Sequence, residues 1–246
     1  MNGMLNRLFK KKKVAFSDNS FADLDQDENE IINLVSPYTM TSKERLVSLI
    51  RAIRYIGKNN IVGDFVECGV WKGGSIMAMI LALKKINSLD RRIWICDTFQ
   101  GMTSPISDDS KFDGTPAKDL LEKDKERISN VWAVSGLEEV KSNIESLKYP
   151  DYLLEYVVGP VEQTLPDLNI QKISLLRLDT DWYESTKVEM ELLFPRLVKG
   201  GILIIDDYGH WQGCKKAVDE YLDSLNRPYF LNRIDYTGRL LVKDWE

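Results

Sequence analysis

Four short apolar runs in this chain each lead into a carboxylate: Phe65–Val66 into Glu67, Ile93–Cys96 into Asp97, Leu175–Leu178 into Asp179, and Ile202–Ile205 into Asp206 and Asp207. Strands buried on both faces of an open parallel sheet read as continuous apolar stretches, and their ligands sit in the crevice beyond the strands' carboxyl ends. If the four strands are neighbours, one crevice gathers these five acids together with Asp181. Packing does not require such a gathering, and like charges repel unless a cation or donor hydroxyls hold them. The pattern therefore constrains the fold and a site together.

Between and around these runs, strand and helix patterns alternate. Strands are expected over 61–67, 92–97, 152–159, 174–180 and 201–206, and helices over 73–86, 118–127, 137–147, 184–198 and 212–225. Two closing strands, about 229–234 and 239–243, are joined by a short turn at 236–238. Upstream, Ser42 is placed to cap a helix in which Leu46, Leu49, Ile50, Ile53 and Ile56 repeat at helical spacing, and the acidic stretch 23–30 starts a helix running to 35. Such alternation implies an α/β fold: a mostly parallel twisted sheet with helices on both faces and an antiparallel hairpin at one edge.

A chain of 246 residues is most simply one large domain with an added N-terminal segment. The boundary is expected after residue 36, with a partly disordered or helical tail over 1–36 and the domain over 37–246. Met4, Leu5, Leu8 and Phe9 beside Lys10–Lys13 read as a solvated tail, contact of a basic amphipathic turn with an anionic membrane surface being the alternative. A net charge of −5 argues against nucleic acid as the main partner. The longest apolar stretch, Ile76 to Leu83, is too short to span a bilayer. Cys68, Cys96 and Cys214 are odd in number and far apart, which suits reduced thiols in a cytosolic protein.

The segment from Glu67 to Ser75 follows a strand and opens a helix. Gly69 permits a tight turn and close approach of a ligand, and Gly73 and Gly74 free a helix start whose N–H groups can donate to a carboxylate or phosphate. Gly69-x-x-x-Gly73-Gly74 is neither the dinucleotide fingerprint nor a P-loop. An amino-acid nucleoside fits better, with Glu67 on an ammonium and Asp97 on two ribose hydroxyls, as S-adenosylmethionine would require. A glycine turn that only packs helix on strand is the competing explanation.

Asp179 and Asp181, two apart, share a face, and Asp206 and Asp207 leave their strand where both can turn toward the same point. Hard oxygen donors suit Mg²⁺, which leaves positions for two adjacent hydroxyls of a substrate. The ion would acidify the reacting hydroxyl, and a remaining carboxylate could remove its proton. His210, the one histidine, is a candidate second base or substrate hydrogen-bonder.

The stretches Thr39–Ser42, Val66–Ser75, Asp97–Met102, Leu178–Thr186 and Ile205–Cys214, in that order and spacing, resemble the macrocin O-methyltransferase family over about Tyr38 to Lys243. Its members are S-adenosylmethionine- and Mg²⁺-dependent enzymes that methylate sugar hydroxyls on antibiotics. The resemblance implies the seven-stranded class I methyltransferase fold, a glycan or glycosylated small molecule as substrate, and a possible homodimer. By position it makes Asp179, Asp206 and Asp207 the metal ligands and Asp181 the general base. Glu67, Gly69, Ser75 and Asp97 become cofactor contacts, and Met40 and Thr41 the segment folding over the cofactor's methionine end. The stretch 104–115 and the N-terminal tail depart from the antibiotic enzymes, and these regions should shape the acceptor pocket.

Two other enzyme classes use similar acids. A haloacid-dehalogenase-type phosphatase pairs Asp-x-Asp with a downstream Asp-Asp, but here the two motifs lie one helix apart and Glu67–Ser75 would be idle. An Asp-x-Asp glycosyltransferase leaves the Asp206-Asp207 pair and the early glycine turn unexplained. A non-catalytic cofactor-binding subunit would be expected to have lost acids that this chain keeps.

Overall fold

The computed structural model describes residues 21–246. The tail expected over Met4–Lys13, and its alternative of a basic amphipathic turn, lie outside the described residues. Helix α1 (Gln26–Val35) begins with Asp25, whose carboxylate accepts from the Glu28 N–H while the Glu28 side chain accepts from the Asp25 N–H. That reciprocal cap satisfies two donors that a helix start otherwise leaves orphaned. Glu28 is itself buried, held by Arg51 and Arg54 of helix α2 (Lys43–Lys58). Ile31, Ile32 and Val35 enter the same core as α2, so α1 contributes to the body of the protein.

Seven strands form one sheet in the order β3-β2-β1-β4-β5-β7-β6. β1 (Asp64–Cys68), β2 (Ile93–Asp97), β3 (Leu154–Val158), β4 (Ile173–Leu178) and β5 (Leu197–Ile205) run parallel. β7 (Arg239–Val242) is antiparallel to β5, with the short β6 (Asn232–Arg233) beyond it. The strand order reverses between β1 and β4, which opens a crevice at their carboxyl ends. One face packs on α1, α2 and helix α3 (Gly74–Lys85), through Phe65, Ile93, Ile95, Leu175, Ile202 and Ile204. The other packs on helices α7 (Tyr183–Leu192) and α8 (Gln212–Ser224), through Val66, Leu176, Leu203 and Ile205.

Two boundaries differ from expectation for clear reasons. The helix expected to reach 198 stops at Leu192, because Pro195 has no N–H to continue it, and β5 starts at Leu197. Helix α4 (Ala117–Lys123) ends early, because Asp124 turns its carboxylate onto the Ile128 and Ser129 N–H groups. Among the described residues, no helix is long and apolar enough to cross a membrane.

Candidate active site

Successive side chains of a strand point to opposite faces, and that alternation divides the crevice acids into two groups. Glu67, Arg177, Asp179 and Asp206 follow the parity of the core residues facing α2. Arg177 is 2% exposed at the centre of the sheet, beside Glu67 in register. Its guanidinium donates to Glu67, to Asp179 (2.8 Å) and to Asp206 (2.6 Å). Asp206 also accepts from Arg45 and from the Thr41 hydroxyl (2.9 Å). Arg45 continues to Asp235 (3.0 Å), which also accepts from Ser42 (2.7 Å), tying the start of α2 to the β6–β7 turn.

Neither arginine was singled out by motif. The signal was present for Arg177: a charge inside an otherwise apolar central strand must be paired if it is buried. Burial works to lower the Arg177 pKa, but Asp179 and Glu67 outweigh it and hold it above the ordinary value. Glu67 is pushed up to about 8, first by burial and then by Asp179, against the pull of Arg177.

Asp179 links this group to a second one: Asp179, Asp181 and Asp207 offer carboxylate oxygens that all lie within 4.8 Å of one another. Asp206 and Asp207 therefore do not turn to the same point, because the pleat of β5 carries through to Asp206. Two carboxylates at such a separation repel by about 3 kcal/mol at an effective dielectric near 20, which favours a proton or a cation between them. Burial, followed by the charges of Asp181 and Asp179, raises Asp207 well above the carboxylate range. Asp181 is pushed up to about 7, by burial first and then by Asp179, against the opposing pull of Asp207 and Trp211. Asp207 Oδ2 is buried without a hydrogen-bond partner. An orphaned oxygen beside two further carboxylates fits a hard divalent cation.

The turn between β1 and α3 is held from below. Asp97 Oδ2 accepts from the Val70 N–H (2.7 Å) and the Trp71 N–H (3.3 Å), and Oδ1 from the Phe99 N–H (2.7 Å). Burial raises the Asp97 pKa against those donors. Gly69 has φ 81° and lies against the Asp179 carbonyl, so the close approach it permits is that of β4's backbone. Gly74 is likewise packed under the Tyr38 carbonyl, and α3 starts without a side-chain cap.

A cavity of about 500 Å³ spans both groups and is lined by Met40, Thr41, Glu67, Gly69, Ser75, Asp97, Asp179, Asp181, Asp206, Asp207 and His210. That volume is within the range of cofactor and substrate sites. All the expected site residues thus line one cavity, although the third carboxylate beside Asp179 and Asp207 is Asp181 rather than Asp206. His210 stands apart from the trio: its N–H donates to the Asp207 carbonyl (2.9 Å), and its Nδ1 lies 3.3 Å from the Tyr236 hydroxyl. Burial, then Lys111 and Arg45, lower its pKa, which leaves the imidazole neutral.

Residues 3–243 match the macrocin-O-methyltransferase (TylF) family. The demethyldecarbamoylnovobiocin O-methyltransferase of Streptomyces niveus is 35% identical over 201 residues, covering 82% of this chain and 74% of its own. The 8-demethyl-8-(2,3-dimethoxy-alpha-L-rhamnosyl)-tetracenomycin-C 4'-O-methyltransferase of Streptomyces olivaceus is 34% identical over 201 residues, with 82% and 74% covered. The solved structure of the O-methyltransferase NovP superposes with a TM-score of 0.73 at 33% identity, covering 84% of this chain and 82% of that one. The chain belongs to the macrocin O-methyltransferase family: it is an enzyme that transfers methyl groups, with a fold that implies S-adenosylmethionine as the donor.

Proposed function

We propose that the enzyme is an S-adenosylmethionine- and Mg²⁺-dependent O-methyltransferase acting on a sugar or glycoside that presents adjacent hydroxyls. The observation that carries this reading is the meeting, in one cavity, of the Asp97-braced glycine turn with the carboxylates of Asp179, Asp181 and Asp207. A relative named for methylating a rhamnosyl tetracenomycin supports a glycoside as acceptor. The donor, when bound, supplies a methyl group on a sulfonium that is already a good leaving group, and Mg²⁺ would supply acidification and orientation of the acceptor hydroxyl.

What remains for the chain's own residues is alignment and one proton. Glu67 would engage the cofactor's ammonium and Asp97 its ribose hydroxyls, with Met40, Thr41 and Ser75 closing the methionine end. The match to the family's motifs supports Asp179, Asp206 and Asp207 as the ligands of Mg²⁺ and Asp181 as the base. A group near pH 7 in proton affinity is well matched to that task. A second reading, favoured by the clustering of Asp181 with Asp179 and Asp207, makes Asp181 the third ligand and neutral His210 the base.

Manganese binding followed by electron paramagnetic resonance, alongside methyl transfer from labelled S-adenosylmethionine to a glycoside panel, separates the two. In the first reading Asp181→Asn keeps Mn²⁺ affinity and loses turnover by about 100-fold or more, while Asp206→Asn weakens Mn²⁺. Loss of Mn²⁺ in Asp181→Asn with retention in Asp206→Asn would overturn it in favour of the second.

A further inference from the structure

His210 and Tyr236 line the cavity, and two large aromatic side chains, Tyr236 and Phe112, flank the His210 ring. Phe112, from the loop between β2 and α4, has its ring centroid 5.9 Å from His210, and Tyr236, from the β6–β7 turn, lies 6.0 Å away. Phe112 is 62% exposed and Tyr236 56%. Single exposed aromatics need no explanation, but two gathered around one imidazole that lines a cavity do.

The arrangement is held by backbone rather than by the rings themselves. The Phe112 N–H donates to the His210 carbonyl (2.9 Å), the Gln212 N–H to Ser110 (2.8 Å), and the Gly209 N–H to Thr237 (3.0 Å). A side chain at Gly209 would run into the Tyr236 carbonyl. Three loops are therefore clasped together so that Phe112 and Tyr236 stay in water. Folding gains little from that, whereas a ligand covering both rings gains their area at low entropic cost.

We infer that Phe112, His210 and Tyr236 form the subsite that receives the acceptor's sugar ring. The inference rests on the glycoside reading above and specifies which residues select the acceptor. A pyranose presents an apolar C–H face and an edge of hydroxyls. The flanking rings match the face, and the Tyr236 hydroxyl and His210 ring nitrogens match the edge. Asp207, three residues before His210, lies where the reacting hydroxyls must reach. Phe112 belongs to the segment 104–115, which the sequence reading expects to shape the acceptor pocket.

The test is calorimetry and saturation-transfer NMR on the full chain with S-adenosylhomocysteine and Mg²⁺. The probes are p-nitrophenyl pyranosides, with p-nitrophenol as the sugar-free control. At least one pyranoside binds and p-nitrophenol does not. Phe112→Ala and Tyr236→Ala each weaken that pyranoside about tenfold, the scale of one lost aromatic contact. Affinity for S-adenosylhomocysteine stays unchanged in both variants, which also reports that they are folded. Equal binding of p-nitrophenol would assign the rings to an aglycone and overturn the inference. So would unchanged pyranoside affinity in both variants, or a panel without any binder while S-adenosylhomocysteine binds. Failure of wild type to bind S-adenosylhomocysteine would overturn the methyl-transfer site itself and this subsite with it.

Discussion

Arg177 shows how much of this site depends on a single buried cation. It answers three carboxylates at once, and removing it strands Glu67 in the interior and leaves Asp206 to Arg45 and Thr41 alone. Breaking a buried pair of this kind costs about 3–5 kcal/mol. Arg177→Met should therefore lower the unfolding free energy by an amount in that range, measured by urea denaturation, and Arg177→Lys should rescue only part, since one ammonium cannot fork to three partners. Protonation gives a second test at this scale. Glu67 at about 8, Asp181 at about 7 and Asp207 well above its ordinary value mean that, at these three groups, the folded protein without added metal binds more protons than the unfolded chain above about pH 4.5. A raised folded-state pKa gives stability that is full at low pH and lost as pH climbs through the folded value. With EDTA present the melting temperature should fall from about pH 5 to about pH 8, and Mg²⁺ should raise it more at the upper end than at the lower. A melting temperature that rises with pH in EDTA would contradict that.

Among the elements, the turn from β1 into α3 is the least tolerant of change. Gly69→Ala puts a side chain into the Asp179 carbonyl at a positive φ, so it should displace β4's end relative to β1. Loss of S-adenosylhomocysteine binding with a lowered melting temperature is the expected outcome. By contrast, Asp25→Ala removes the cap of α1, far from the crevice, and should cost about 1 kcal/mol of stability while leaving cofactor affinity alone. The strands were legible in the sequence because their apolar runs are nearly unbroken, and the edge hairpin because its turn at 236–238 is short. The end of α7 was not, since a helical pattern runs through Leu192 and Leu193 into Pro195 before β5 begins. The short β6 was over-extended because Tyr229 and Leu231 pack on the core without joining the sheet.

Over the whole molecule, the sheet order explains why distant residues meet. β2, β1, β4 and β5 lie side by side in that order, so Glu67, Asp97, Asp179 and Asp207 arrive at one crevice from four chain segments. That convergence was readable, because each acid ends an apolar run. The partition of the acids was not, because it depends on the face to which each pleat turns its side chain. Asp206 goes to Arg45, Arg177 and Thr41 on the α2 side, while Asp207 joins Asp179 and Asp181. Arg45 reaches Asp206 only because helix α2 packs across that face, a contact 161 residues apart in sequence. The central claim is that this crevice is a methyl-donor site built on Glu67 and Asp97. Its most direct test is a calorimetric titration of wild type and Asp97→Ala with S-adenosylmethionine, in Mg²⁺ and in EDTA. Micromolar binding by wild type, weakened at least tenfold in Asp97→Ala, is the predicted result, on the scale of lost charge-assisted hydrogen bonds. No binding by wild type in either condition would contradict it.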